Sequence, residues 1–132
     1  MVPSIVGVGT AVPDTRLTQS QIRDLFLMQP GLDRRAQRIL GAAFDAAAID
    51  TRHTVLASLT GDAPPEALAV REGDRILDPG TAARNAEFRR LVPDLFARAG
   101  RAALTDAGVA PGEVTHVITV SCTGLFAPGP DM

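Results

Sequence analysis

Apolar and polar positions along this chain change period several times, and each change marks an element. Ile5-Val6-Gly7-Val8-Gly9-Thr10-Ala11-Val12 is a β-prone run. Pro13 and Asp14 stop it, because proline cannot donate to a sheet ladder. Thr18-Gln19-Ser20-Gln21 then has the spacing of a capping box, in which two helix-start amides are satisfied reciprocally. Ile22, Leu25 and Phe26 follow at helical spacing, and Pro30-Gly31 closes that helix. Asp33 caps a second helix in which Ala36, Leu40, Ala43, Phe44 and Ala47 share a face. Thr51 to Leu56 reads as a strand. The stretch from Ala57 to Pro79 carries six Gly or Pro residues if Gly80 is included and little periodicity, so it reads as a long, partly ordered excursion.

A long helix is expected from Thr81. Phe88, Leu91, Val92, Leu95, Phe96, Ala99, Ala103 and Ala107 keep its period, and Pro93 inside it predicts a kink or a break. Gly108 and Pro111 supply the stop. Val114 to Val120 is a nearly continuous apolar run, the pattern of a strand buried on both faces. Strands alternating with helices give an α/β class with a parallel or mixed sheet packed by helices. In such sheets ligands meet the loops at the carboxyl ends of strands, which directs attention to Ser121-Cys122-Thr123-Gly124.

Composition narrows the function. The chain has 132 residues, 45% of them apolar, and a formal net charge of -2. All 13 basic residues are arginine. The absence of lysine excludes Schiff-base chemistry and a P-loop, and the charge balance argues against nucleic acid. A single cysteine excludes an internal disulfide. No apolar run approaches the roughly 20 residues that span a bilayer, and the first ten residues lack the basic and apolar regions of a secretory signal. A cytoplasmic protein is expected.

Few side chains suggest chemistry. Cys122 ends a β-prone run and is flanked by hydroxyls, so it reads either as a nucleophile or as a packing or pocket-lining thiol. His116 lies six residues earlier, about 20 Å away along an extended strand. His53 could meet Cys122 only through tertiary structure. Two histidines without ligand spacing give no metal site. Gly7-x-Gly9 is half of a dinucleotide fingerprint, without its third glycine or its helix start. Arg52 has the forked, permanent charge that suits phosphate.

Taken together, these segments resemble a known family. Ile118-Thr119-Val120-Ser121-Cys122-Thr123-Gly124-Leu125-Phe126-Ala127-Pro128-Gly129-Pro130-Asp131 resembles bacterial type III polyketide synthases, the chalcone synthase-like enzymes. Gly7 to Pro13, Ile49-Asp50-Thr51-Arg52-His53, Pro79 to Arg84 and Ala107 to Val117 are similar to further parts of that family, in its order. The earlier segments are shared more loosely with the thiolase superfamily, including the ketoacyl synthases that start fatty-acid synthesis.

The resemblance implies that residues 1–132 are the N-terminal part of a synthase, the incomplete first half of a thiolase-like fold. It implies decarboxylative Claisen condensation of acyl-CoA starters with malonyl-CoA, in a homodimer, with no metal or redox cofactor. It places the family's Cys-His-Asn triad beyond Met132, so no catalytic residue is expected here and the chain alone is expected to be inactive. Cys122, Thr123 and Gly124 match pocket-lining positions. Ala127, with Pro128 and Gly129, matches a segment reaching into the partner's cavity. Arg52 matches a residue that holds coenzyme A phosphates. Two alternatives stay open: a non-catalytic partner of a full-length synthase, and a fragment of a ketoacyl synthase.

Overall fold

Thr18 begins the first helix as its spacing predicts. In the computed structural model, which describes residues 2–125 and Gly129, the Gln21 amide donates to Thr18 Oγ1 at 3.1 Å, and the Thr18 amide donates to Gln21 Oε1 at 2.7 Å. The helix runs Gln19–Leu27 (α1) and a short strand, Thr15–Thr18 (β1), leads directly into it. Asp33 accepts from the Ala36 amide at 2.7 Å and starts the helix Arg34–Ala46 (α2). Thr51–Thr54 (β2) follows and pairs antiparallel with β1, placing Arg16 opposite His53 and Leu17 opposite Arg52. Arg71–Glu72 (β3) and Arg75–Ile76 (β4) form a second, minimal ribbon. The last helix is Thr81–Ala107 (α3).

The chain divides into two compact units, Pro13–Ala83 and Met1–Val12 with Arg84–Met132. In the first, α1 packs on α2: Phe26 and Phe44 sit with ring centroids 5.8 Å apart, and Arg23 bonds Asp45 at 2.9 Å and its neighbour Asp24. Those two carboxylates, Asp45 first, raise the Arg23 guanidinium above its ordinary range. Leu17, Leu25 and Val70 are the buried apolar side chains of this unit. Ala48, just past α2, takes the left-handed conformation (φ 50°) that glycine usually fills.

The excursion from Ala57 to Pro79 is ordered more fully than its composition predicts. Ser58 Oγ donates to the Leu68 carbonyl at 2.7 Å and accepts from the Val70 amide at 3.0 Å. Arg71 donates to the Leu59 carbonyl at 2.7 Å. Gln29 ties the β3–β4 ribbon to α1, donating to the Asp74 carbonyl at 2.8 Å and accepting from the Ile76 amide at 2.8 Å. Three side chains thus replace the hydrophobic periodicity that the segment lacks.

In the second unit, Pro93 does not break α3, which runs on through it to Ala107. The proline brings no amide to the helix ladder. Val92, beside it, is buried. The two apolar runs on this unit behave differently from expectation. Neither residues 5–12 nor residues 114–120 form a ladder among the described residues. Ile5 is 86% exposed, and Ile118 and Val120 are 87% and 83% exposed in the run expected to be buried on both faces. A strand ladder needs a neighbouring strand, and among the described residues neither run has one. The ladders that do form are antiparallel ribbons. Among the described residues no helix is long and apolar enough to cross a membrane.

Candidate functional site

The turn after residue 120 is built from its own hydroxyls and from α3. Ser121 Oγ donates to the Thr123 carbonyl at 2.6 Å, closing a tight local loop around Cys122. Gly124 follows with φ 80°, a conformation open to glycine. A Cβ there would overlap the Phe88 ring, so the glycine is required twice over. Asn85 then clamps the next residue at two points. Its Oδ1 accepts from the Leu125 amide at 2.8 Å and its Nδ2 donates to the Leu125 carbonyl at 2.9 Å.

Cys122, Thr123 and Gly124 are therefore brought together on one turn. Cys122 is an exposed free thiol and Thr123 is exposed too, with Gly124 half-buried. His116 bonds the neighbouring Thr115 hydroxyl at 3.0 Å, and among the described residues no hydrogen bond joins it to Cys122. Gly129 is half-buried, whereas Ala127 and Pro128 lie outside the described residues. Within the same unit an apolar hollow of about 540 Å³ lies between α3 and residues 117–120, lined by Phe96, Leu104, Val117 and Ile118 among others.

Gly7 and Gly9 have a structural use. A Cβ on Gly7 would stand 2.7 Å from Ala107 Cβ and 2.8 Å from the Ala103 carbonyl oxygen, and one on Gly9 would overlap the backbone of Ala99, Ala102 and Ala103. The Val8 amide donates to Asp106 Oδ2 at 3.0 Å, and Arg98 donates to the Val12 carbonyl at 3.1 Å. These glycines admit a helix, and that use accounts for the pair without a dinucleotide.

Arg52 belongs to the other unit. On β2 it is exposed, and its Nε donates to Gln19 Oε1 at 2.7 Å. The adjacent His53 is also exposed, and its Nδ1 lies 2.8 Å from the Pro13 carbonyl. A carbonyl only accepts, so Nδ1 carries the proton in that bond. Sequence reasoning passed over Gln19 and Asn85. Gln19 was visible only as part of a capping box, and Asn85 as a poor helix former inside a helix, the one signal that its side chain is bonded elsewhere.

Comparison with known proteins gives these features a context. The sequence profile of chalcone and stilbene synthases, N-terminal domain, matches residues 2–132. The chain is 30% identical over 129 residues to type III polyketide synthase 21 of Oryza sativa subsp. japonica, covering 97% of this chain and 32% of that protein. It is 30% identical to the 3,5-dihydroxyphenylacetyl-CoA synthase of Streptomyces toyocaensis, covering 96% of this chain and 28% of that protein. It is 29% identical to the probable polyketide synthase 1 of Dictyostelium discoideum, of which it covers 4%. The chain thus spans a third or less of these relatives. Among solved structures, PKS-I from the brown alga Ectocarpus siliculosus superposes with a TM-score of 0.80 at 23% identity, over 96% of this chain and 34% of that one. The fold is therefore the thiolase-like α/β fold of that enzyme, in part. With the family profile matched almost from end to end, the chain belongs to the chalcone and stilbene synthases and corresponds to their N-terminal domain.

Proposed function

We propose that this chain serves as the N-terminal portion of a type III polyketide synthase that condenses acyl-CoA starters with malonyl-CoA by decarboxylative Claisen chemistry. The observation that carries this reading is the span of the similarity: residues 2–132 match the family's N-terminal domain, and the related synthases extend well beyond it. In this reading the nucleophilic cysteine, the histidine and the asparagine of the triad come from the synthase's remaining portion. The 132 residues supply a pocket wall and a grip on the substrate.

The turn at Cys122, Thr123 and Gly124 forms part of the acyl pocket. Its fixed geometry supports that role, since a wall that selects starters by shape must not move. Ala127, Pro128 and Gly129 match the family positions assigned to the partner's cavity in a homodimer. Arg52 holds phosphate groups of coenzyme A, a role supported by its exposure and its forked charge. The chemistry proceeds on thioester substrates without a metal or redox cofactor.

Two measurements test the reading. The 132-residue chain incubated with malonyl-CoA and an acyl-CoA starter is expected to release no product above background, because it holds no triad. Turnover that disappears in Cys122→Ser would overturn this and make Cys122 the nucleophile. Reading the coding sequence beyond codon 132 tests the other half. A continuing frame with a cysteine soon after, then histidine and asparagine, is the expected result. A stop codon there would replace the catalytic reading with that of a non-catalytic partner.

A further inference from the structure

Arg52 is held by a residue that has no freedom of its own. Gln19, the first residue of α1, is only 9% exposed, and its polar groups are all engaged. Its amide donates to the Asp50 carbonyl at 2.9 Å, its Nε2 donates to the Phe44 carbonyl at 3.1 Å, and its Oε1 accepts from Arg52 Nε at 2.7 Å. The backbone amide is thus tied to the link into β2 and the side chain to α2, and the side-chain oxygen presents one fixed acceptor to the arginine. A guanidinium carries five N–H donors in a rigid fork. One is used here, and among the described residues those on Nη1 and Nη2 have no hydrogen-bond partner.

The chemical identity of the acceptor matters. A carboxylate at position 19 would also orient the guanidinium, but it would cancel the charge and occupy the fork in place of an incoming anion. A neutral amide oxygen orients without neutralising. An arginine ordered before binding also loses less rotamer freedom when it closes on a phosphate. We infer that Gln19 is the positioning residue that presents the Arg52 guanidinium to the phosphates of a coenzyme A thioester. This rests on the role proposed for Arg52 above, and adds to it the residue that makes the arginine effective.

The test is a binding cycle on the 132-residue chain, with coenzyme A as the probe and pantetheine, which lacks the diphosphate bridge and the ribose phosphate, as its control. Calorimetry would compare the parent with Gln19→Met, Arg52→Ala and the double variant, with far-UV circular dichroism checking each fold. Gln19→Met keeps the length and loses the acceptor. It is expected to weaken coenzyme A binding about three- to tenfold, to leave any pantetheine binding unchanged, and to have no further effect once Arg52 is alanine. An equal loss in both arginine backgrounds would make Gln19 merely structural and overturn the inference while leaving the role of Arg52 intact. Arg52→Ala binding like the parent, or a parent that binds no coenzyme A, would overturn the role of Arg52 and this inference with it. Where Gln19→Met does not fold, Gln19→Glu carries the test. Its carboxylate is expected to weaken binding more than tenfold, and undiminished affinity would overturn the inference.

Discussion

Substituting Gly7 by alanine isolates the contact on which the second unit depends. The new methyl would stand 2.7 Å from Ala107 Cβ and from the Ala107 amide nitrogen, and 2.8 Å from the Ala103 carbonyl oxygen. Two of these atoms are helix backbone and cannot rotate aside. Relief to an ordinary contact of about 3.4 Å requires the segment and α3 to part by about 0.7 Å. A displacement of that size along the Val8–Asp106 bond would stretch it from 3.0 Å to about 3.7 Å, outside hydrogen-bonding range. Overpacking alone costs about 1–3 kcal/mol, and the lost bond brings the total to about 2–4 kcal/mol. The same substitution at Gly100, inside α3 with open space around it, is expected to stabilise by about 0.5–1 kcal/mol through helix propensity. Thermal unfolding followed by circular dichroism separates the two: Gly7→Ala should lower the midpoint by at least about 5 °C, whereas Gly100→Ala should raise it. A Gly7→Ala midpoint within a degree of the parent, or equal losses at both positions, would refute the close-approach argument.

Further predictions follow from single features of the two units. Asn85→Ala removes both bonds to Leu125, so hydrogen exchange at the Leu125 amide should accelerate about fivefold or more; unchanged exchange would show that the turn holds itself. Ala48→Gly relieves a left-handed alanine (φ 50°) and should stabilise the α2 end by about 0.5–1 kcal/mol in urea unfolding; a destabilisation would count against the strain. Ile118→Lys places a charge on an 87% exposed apolar residue and should reduce self-association of the 132-residue chain in sedimentation velocity; no change would mean that this run is not the adhesive surface.

What the sequence disclosed follows the range of each interaction. Thr18 with Gln21, and Asp33 with Ala36, act within three residues, so spacing alone located both helix starts. The order of the excursion rests instead on Ser58 with Leu68 and on Gln29 with Ile76, pairs 10 and 47 residues apart. No local pattern encodes such pairs. The runs at 5–12 and 114–120 were legible as β-prone, since their residues favour a buried, pleated surface. A ladder is a property of two segments, however, and none was formed at either run among the described residues. The site divides in the same way. The family motif pointed to Cys122, Thr123, Gly124 and Arg52, but the residues that fix them, Asn85 and Gln19, act across 40 and 33 residues.

Each of the two compact units uses a neutral amide side chain to hold a neighbouring element without adding charge. Asn85 does so for the turn that carries Cys122 and Thr123, bonding only backbone at Leu125. Gln19 does so for Arg52. A carboxylate at either place could accept a bond, but it would lack the amide's donor and would bring a negative charge to the turn at Leu125 or to the Arg52 guanidinium. Under the proposed function, a rigid and uncharged wall would let shape decide which starter fits, whereas a grip on coenzyme A would need its full positive charge. The expectation is asymmetric: exchanging Asn85 for aspartate should disturb mainly the turn through loss of the donor to Leu125, and exchanging Gln19 for glutamate should disturb mainly anion affinity through loss of charge. Hydrogen exchange at Leu125 and coenzyme A binding report the two effects separately, and a single common effect in both variants would argue that the amides serve packing alone.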